Sequence, residues 1–198
     1  MPLPKTIIHL LSGGMDSTVL LYELHKQGHE LHTVAFNYGQ THIKELQLAR
    51  WHSINLGVQH SQIELTRRDG PFLRCALTDG SSDSVVVPNR NAIFLMIAAG
   101  IAASNGAQTV TIGCNKDDEK AFPDCTWRFI QAAQATLKAG GSDVELCAPY
   151  IGWTKGQIAR LGEGLNVDFS KTWSCYRGGI AECGECDACE KRKGALCE

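Results

Sequence analysis

The chain has 198 residues, of which 43% are hydrophobic, and a formal net charge of −2 at pH 7. A chain of this length buries about 70% of the surface that it exposes when unfolded, so it can form a core as one domain, 1–198. The acidic balance argues against a protein that binds nucleic acid by diffuse charge. No apolar run reaches the roughly 18 residues of a membrane span, and the N-terminus lacks a signal-peptide pattern. We therefore expect a cytoplasmic protein with no membrane partner and no stable nucleic-acid partner.

A glycine turn separates the first predicted strand, 6–11, from the first predicted helix, 17–27. At a helix N-terminus, unpaired backbone N–H groups favour an anion, and glycine allows close approach and positive φ. A plainer interpretation is a helix cap in which Asp16 or Ser17 satisfies the first amides. The turn reads Ser12-Gly13-Gly14-Met15-Asp16-Ser17.

Apolar runs and helical patterns alternate along the chain. Strands are predicted at 6–11, 31–37, 58–65, 109–113 and 144–148, and helices at 17–27, 41–56, 91–105, 126–138 and 154–161. This alternation indicates an α/β fold with a doubly wound, mostly parallel five-stranded sheet. The turns at 12–17, 37–40 and 113–118 then emerge at one edge, where chemistry is expected. Segment 69–84 is predicted as a mobile lid or a plain surface connection.

Four of the nine cysteines form a CxxCxxC pattern preceded by one cysteine eight positions upstream: Cys175, Cys183, Cys186 and Cys189. Two tight turns and a longer loop can bring four thiolates to the corners of a closed structural zinc site. An iron–sulfur cluster or a redox-active CxxC pair are the alternatives. If the site holds zinc, we expect 172–198 to be an integrated zinc-binding segment that becomes ordered when the metal binds. The seven histidines lack comparable ligand spacing, and most of them are expected at the surface or in caps.

Several motifs follow predicted strands or open predicted helices. These motifs are Asn37-Tyr38-Gly39-Gln40, Val87-Pro88-Asn89-Arg90-Asn91, Gly113-Cys114-Asn115-Lys116-Asp117-Asp118, Phe122-Pro123-Asp124-Cys125 and Thr172-Trp173-Ser174-Cys175-Tyr176. Together with the glycine turn and the cysteine pattern, they resemble the 7-cyano-7-deazaguanine synthase family of the ATP pyrophosphatase (PP-loop) superfamily, over about 8–196.

The resemblance implies an ATP-dependent ligase that releases AMP and pyrophosphate. Its substrates would be 7-carboxy-7-deazaguanine and ammonia, and its product 7-cyano-7-deazaguanine, a precursor of queuosine-type bases. The carboxylate would be adenylylated, ammonia would displace AMP to give an amide, and a second adenylylation would lead to the nitrile. The implied cofactors are ATP, Mg²⁺ and a structural Zn²⁺.

The resemblance also implies site residues. Those predicted to bind ATP are Leu11, Ser12, Gly13, Gly14, Asp16, Ser17 and Thr18. Asp16 or Asp118 is predicted to hold the metal ion, and Arg90 and Lys116 are the candidate cations of the reaction. Residues predicted to bind the substrate are Tyr38, Gln40, Arg90, Asn91, Asn115 and Asp124. The plainer interpretations are solvated surface charges, a helix cap at Asp124 and a core aromatic at Tyr38.

Three departures from the family pattern affect the residues expected to contact the substrate. They are a short stretch between Leu77 and Val87, Phe122 in place of Tyr, and Thr126 in place of Arg. They motivate the hypothesis that the enzyme stops at 7-amido-7-deazaguanine. Two other hypotheses are a different PP-loop adenylylating enzyme, such as a tRNA-thiolating ligase, and a zinc-knuckle nucleic-acid-binding protein. The latter would place the basic residues 191–193 on phosphate. Composition leaves the oligomeric state open, a homodimer included.

Overall fold

The computed structural model describes residues 5–67, 70–71, 75–78 and 84–197. The described strands are β1 (Thr6–Leu10), β2 (Glu30–Asn37), β3 (Gln59–Glu64), β4 (Thr66–Arg67), β5 (Gly70–Pro71), β6 (Thr109–Thr111) and β7 (Glu145–Cys147). The described α-helices are α1 (Met15–Lys26), α2 (Lys44–Asn55), α3 (Arg90–Ser104), α4 (Trp127–Ala139), α5 (Lys155–Gly164) and α6 (Asp187–Cys197). Among these helices, none combines the length and the apolar character that a membrane span requires.

Five strands form one sheet in the order β3-β2-β1-β6-β7. All four pairings are parallel, and Ile8 of β1 lies beside His32 of β2 and Val110 of β6. The predicted α/β class and its five-stranded parallel sheet are confirmed. The chain moves outward from β1 to β3 and then from β6 to β7, so the strand order reverses between β1 and β6. A crevice outside the carboxyl ends of the strands at such a reversal is where open α/β sheets bind ligands.

Helices cover both faces of the sheet. Because side chains of a strand alternate between faces, Ile8 and Leu10 pack with residues of α3 and α4, whereas Ile7 packs with residues of α1 and α5. The first cluster includes Leu95 and Ile130, and the second includes Leu20 and Ile158. Apolar side chains on both faces explain why β1, after Thr6, is an apolar run that only His9 interrupts.

That histidine departs from one expectation. His9, His42 and His52 are buried, and these three are exceptions to the expectation that most histidines lie at the surface or in caps. His9 bridges two elements, because its Nδ1 lies 2.8 Å from the Thr111 hydroxyl and its Nε2 lies 2.9 Å from the Ser17 carbonyl. Burial lowers the pKa of His9 to about 4. The neutral ring therefore links β1 to β6 and to the first turn of α1.

Three elements with a range given above lie outside the predicted set. The strands β4 and β5 form a small antiparallel pair, and α6 forms at the C-terminal end of the described chain, where it packs against α5. Charged residues occupy five of the eleven positions of α6, so its sequence carries little helical periodicity. The predicted lid, 69–84, falls largely outside the described residues, which include only 70–71, 75–78 and 84 from that segment.

Candidate active site

A cavity of about 260 Å³ opens at the carboxyl edge of the sheet. Its walls come from the ends of β1 and β2, the turn after β6, the first turns of α2, α3 and α5, and the segment before the cysteines. The glycine turn therefore faces the same space as residues that are far from it in sequence.

The glycine turn leaves the start of α1 uncapped. Gly14 is the N-cap residue and has no side chain with which to cap the helix, and its own N–H donates to the Ser12 hydroxyl at 3.2 Å. The Ser17 hydroxyl instead donates to the Gly14 carbonyl at 3.2 Å and lies 3.0 Å from the Ser12 hydroxyl. The Asp16 side chain bonds to Asn115 and Lys155 instead of to the first amides of the helix. The first amides of the helix are thus available to an anion such as phosphate.

Two glycines allow close packing around this turn. Gly13 has a φ of +85°, and a Cβ atom at this position would overlap the backbone carbonyl of Glu45 in α2. At Gly113, a Cβ atom would lie only 3.0 Å from the Ser17 backbone nitrogen. The Gly13 carbonyl accepts a hydrogen bond of 2.9 Å from the Trp173 backbone N–H. The C-terminal segment is therefore attached directly to the candidate phosphate loop.

A buried ion-pair cluster lies beside the loop. Lys155 Nζ is 2.9 Å from Asp16 Oδ2 and 3.0 Å from Asp118 Oδ2. The Asn115 amide donates to the same two oxygens at 3.0 and 2.9 Å. Burial raises the pKa of Asp16, although Lys155 opposes the shift. Burial by itself would lower the pKa of Lys155, but the two carboxylates raise it above its usual value.

One acceptor of this cluster lacks a partner. Asp16 Oδ1 is buried and makes no hydrogen bond within the described part of the chain. Buried carboxylate oxygens without a partner are rare because their desolvation is costly. Oxygen ligands are those that Mg²⁺ takes, with phosphate oxygens completing its shell. The atom therefore fits a metal ion that arrives with a nucleotide.

The opposite side of the cavity holds an arginine and an aromatic cluster. Arg90 Nη1 donates to the Tyr38 hydroxyl at 3.3 Å, and no ion pair of Arg90 with a described carboxylate is present. Burial raises the pKa of Tyr38 to about 12, so Tyr38 is neutral. Phe94 contacts Tyr38 and stacks on Phe36 with ring centroids 4.1 Å apart. A guanidinium without a carboxylate partner suits an anionic ligand.

Glu45 also lines this side of the cavity. Its Oε1 accepts a hydrogen bond of 3.0 Å from the Gln40 amide and lies 3.4 Å from His42 Nε2. Burial raises the pKa of Glu45 to about 7 and lowers the pKa of His42 to about 4. Gln40 also accepts a hydrogen bond from the Tyr38 backbone N–H at 2.9 Å. Gln40 therefore positions both Tyr38 and Glu45 from behind the cavity wall.

The predicted site residues divide into two groups. Those that line the cavity are Leu11, Ser12, Gly14, Asp16, Ser17, Tyr38, Arg90, Asn91 and Asp118. Those placed behind or outside its lining are Gly13, Thr18, Gln40, Asn115, Lys116 and Asp124. Asp124 accepts a hydrogen bond of 3.1 Å from the Asn91 N–H at the start of α3, and Lys116 is exposed. Asn115 acts on the cavity through Asp16 and Asp118.

The ionisable cavity residues that the sequence did not assign to the ATP or substrate site include His42, Glu45, Lys155 and Lys191. Lys155 follows the fifth sheet strand, so the rule that site residues follow the carboxyl ends of strands could have found it. The other three lie on helices or in the turn before one, without a recognisable local motif. Lys191 Nζ lies 3.7 Å from Asp118 Oδ1 and 3.0 Å from Asp187.

The four cysteines of the C-terminal pattern come together. The sulfur atoms of Cys175, Cys183, Cys186 and Cys189 all lie within 4.8 Å of one another, and those of Cys183 and Cys189 are 3.9 Å apart. Zinc–sulfur bonds of about 2.3 Å place tetrahedral sulfurs about 3.8 Å apart. The backbone N–H groups of Arg177 and Cys183 both donate to Cys175 Sγ at 3.4 Å. The cluster can therefore hold one metal ion, and its donor set suits zinc.

Comparison with known proteins agrees with this geometry. The model of a family described as queuosine biosynthesis protein QueC matches residues 6–198. A 7-cyano-7-deazaguanine synthase of Caldicellulosiruptor saccharolyticus is 40% identical over 195 residues, which cover 92% of this chain and 87% of that protein. One of Hahella chejuensis is 38% identical, with 98% and 89% covered. The structure of NMN synthetase from Francisella tularensis shares the fold, with a TM-score of 0.54, 15% identity, and 98% and 84% covered.

Proposed function

The chain belongs to the QueC family of queuosine biosynthesis proteins, and we propose that it converts 7-carboxy-7-deazaguanine and ammonia to 7-cyano-7-deazaguanine with ATP. One observation carries the proposal: a single cavity joins an uncapped glycine loop to Arg90. The loop offers backbone amides to the phosphates of ATP, and Arg90 offers a guanidinium to the substrate carboxylate. The names of the relatives supply the identity of the product, 7-cyano-7-deazaguanine.

The first half of the reaction activates the carboxylate. A carboxylate is a poor electrophile because its oxygen is a bad leaving group. The carboxylate oxygen attacks the α phosphorus of ATP, pyrophosphate leaves, and an acyl adenylate forms. Negative charge builds on the phosphate oxygens during this step. The loop amides and the Lys155 ammonium are placed to stabilise that charge.

The second half makes the nitrile. Ammonia attacks the acyl carbon, AMP leaves, and the primary amide remains. The amide oxygen then attacks a second ATP, and loss of the second AMP leaves the carbon–nitrogen triple bond. Because each half activates an oxygen on the same carbon atom, one phosphate loop can serve both halves.

A Mg²⁺ ion would be held by Asp16, with Asp118 beside it. The support is the buried Oδ1 of Asp16, which lacks a partner in the described chain, together with the oxygen-only donor set. When bound, the ion would neutralise charge on the phosphates. Lys155 keeps the two carboxylates at a fixed position through its 2.9 and 3.0 Å contacts.

The substrate ring would lie against the aromatic side of the cavity. Phe94 and Phe122 both line it, and Tyr38 lies beside Arg90. Flat apolar side chains suit a fused aromatic ring, while polar groups at its edge fix the orientation. Asn91 is the polar side chain of the predicted substrate set, besides Tyr38 and Arg90, that reaches the lining.

We propose that the cysteine cluster holds one structural zinc ion. Trp173 and Ser174 line the cavity directly before Cys175, and Trp173 binds the Gly13 carbonyl. Thiolate binding contributes folding free energy, so the segment around the cluster should lose its structure without metal. We expect one zinc ion and no iron per chain by elemental analysis. Chelation should abolish ATP turnover, and restored zinc should recover it. Stoichiometric iron with acid-labile sulfide would instead favour an iron–sulfur cluster.

The basic residues of α6 give little support to the hypothesis of a nucleic-acid partner. Arg192 is buried and donates to the Thr172 hydroxyl and the Phe169 carbonyl, while Lys191 contacts Asp118 and Asp187. Two of the three basic side chains thus serve contacts within the chain. We propose small molecules as the substrates, in a cytoplasmic reaction that requires no bound nucleic acid.

Mass spectrometry of the products tests the proposed function. The zinc-loaded protein is incubated with 7-carboxy-7-deazaguanine, ATP, Mg²⁺ and ammonium, and the bases and AMP are counted. We expect the nitrile together with two AMP per nitrile. Amide with one AMP would overturn the nitrile assignment and support an enzyme that stops at 7-amido-7-deazaguanine. Neither base product would point to another adenylylation substrate.

A further inference from the structure

The cavity contains one carboxylate that the phosphate chemistry does not use. Asp16, Glu45 and Asp118 all line the cavity, and the first and last of these are ion-paired to Lys155. Glu45 has no ion pair with any lysine or arginine among the described side chains. Only 12% of its side chain is exposed. A buried carboxylate without a cationic partner is costly, so a role at the site is expected.

The groups around Glu45 supply hydrogen bonds but little positive charge. Gln40 and His42 both contact Oε1, Arg90 of α3 and Tyr38 after β2 are the nearby ionisable groups, and His42 is neutral at pH 7. The contact between His42 Nε2 and the carboxylate favours the tautomer with its hydrogen on Nε2. Nδ1 is then an acceptor, and it is buried without a hydrogen-bond partner in the described chain. A small donor with several N–H groups would fit beside these acceptors.

The proposed reaction requires a base at the nitrogen atom. Ammonium carries four protons on nitrogen, whereas the nitrile nitrogen carries none. One proton leaves before ammonia can attack, one leaves as the amide forms, and two leave as the amide becomes the nitrile. Asp16 and Asp118 are paired to Lys155 on the phosphate side, so they are poorly placed to accept these protons.

We propose that Glu45 and His42 form the ammonium subsite of this enzyme, with Glu45 as the base that removes protons from the nitrogen in both halves of the reaction. This inference rests on the proposed function. The Glu45 carboxylate takes one proton from ammonium, and the freed lone pair attacks the acyl carbon. The new C–N bond forms as the C–O bond to AMP breaks, AMP leaves with the bonding electrons, and the nitrogen releases a second proton.

The nitrile-forming half uses the same base. After the second adenylylation, the nitrogen loses its remaining two protons, the C–O bond to the second AMP breaks, and the C≡N bond forms. Glu45 gives up each proton to water between steps. Its position suits both halves, because its backbone carbonyl packs against Gly13 of the phosphate loop and its side chain lies near Arg90. A carboxyl that titrates near neutral pH is an effective proton acceptor under those conditions.

Glu45→Gln tests this inference, because glutamine keeps the shape and can still accept the Gln40 hydrogen bond. Two nucleophiles are compared at pH 7: ammonium, which must lose a proton before it attacks, and hydroxylamine, which is largely neutral. We expect amide formation from ammonium to fall about 100-fold or more, in the range of general base catalysis. Hydroxamate formation from hydroxylamine should stay within a few-fold. Glu163→Gln, an exposed change of the same type on α5, is the matched control.

The pH dependence separates a chemical role from a structural one. For the variant, the rate with ammonium should rise about tenfold per pH unit as free ammonia increases, whereas the wild-type rate should level off above pH 7. Wild-type rates from ammonium in the variant would overturn the inference. Equal losses with both nucleophiles would also overturn it, since they would indicate a structural role. If the wild-type protein does not adenylylate the carboxylate of the substrate, the proposed function itself is wrong. That outcome is distinct from a result that contradicts the role of Glu45, which requires an active wild-type protein.

Discussion

The two sides of the cavity hold their buried charges in different ways. On the phosphate wall, formed by 12–17, Asp118 and Lys155, each charged side chain has an opposite charge within 3.0 Å. On the substrate wall, formed by Tyr38, Glu45 and Arg90, neither charged group has an ion pair with a described Lys, Arg, Asp or Glu side chain, and Arg90 acts on Glu45 only from a longer distance. A closely paired cluster can keep its geometry without a ligand, whereas buried charges without a close partner raise the free energy until a ligand neutralises them. The comparison suggests that the phosphate wall is preorganised and that the substrate wall is completed by its substrates.

Lys155→Met is expected to have the largest effect, because it removes the charge on which the phosphate wall depends. Asp16 and Asp118 would lose their shared cation and repel each other, and the pKa of Asp16, which burial already raises, would rise further. We expect kcat/KM for ATP to fall about 1000-fold, the scale of losing one preorganised charge contact in a transition state. AMP release measures this directly. A loss of less than tenfold would show that the wall does not depend on Lys155.

Arg90→Met removes the cation of the substrate wall, and its effect should depend on the substrate. With 7-carboxy-7-deazaguanine we expect KM to rise about 100-fold, consistent with the loss of a charged hydrogen-bonded pair of about 3 kcal/mol. With 7-amido-7-deazaguanine, which has no carboxylate, the rise should be only a few-fold. Nitrile formation from the two substrates is compared in the same variant. Equal effects on both would mean that Arg90 does not bind the carboxylate.

Glu45→Gln should stabilise the folded protein in a pH-dependent way. The pKa of Glu45 is about 7 in the folded state, against a usual value of 4.5. Above pH 7 the carboxylate is charged in both states, so its burial costs the folded state on the order of 3 kcal/mol. Below pH 4.5 the carboxyl is protonated in both states, and the cost disappears. The variant should therefore melt several degrees above the wild type at pH 8, with a smaller difference at pH 5.

Calorimetry at the two pH values checks this difference. His9 titrates in both proteins, and its low pKa destabilises both below pH 6.5. Comparing variant and wild type at each pH therefore removes the contribution of His9. An equal gain at both pH values would mean that the charge of Glu45 is not the cause. If the variant is no more stable than the wild type at pH 8, the charge of the Glu45 carboxylate is already stabilised by its neighbours.

The difference between the walls also explains how much the sequence could predict. Strand and helix periodicity predicted the five sheet strands and five of the six described helices, because both faces of the sheet are covered by apolar side chains. The four cysteines were predictable because their ligand spacing is local. Glu45 could not be found in this way, because it reaches the cavity through the packing of α2 rather than through a motif. Lys155 also lacks a motif, and only its place after the fifth sheet strand could have indicated it. Lys116 lies in a motif, yet its backbone conformation leaves the side chain exposed.

Lys116→Met should therefore have the smallest effect, although the family motif makes this residue a candidate cation. Lys116 follows Asn115, whose side-chain oxygen accepts from the backbone N–H groups of Asp117 and Asp118 at 2.9 and 3.2 Å. This turn directs Asp118 into the cavity and leaves Lys116 at the surface. We expect AMP release within about twofold of the wild type, since exposed charges contribute little. A loss comparable to that of Lys155→Met would mean that closure of the site brings Lys116 to the phosphates, and the phosphate wall would then also need its substrate to be complete.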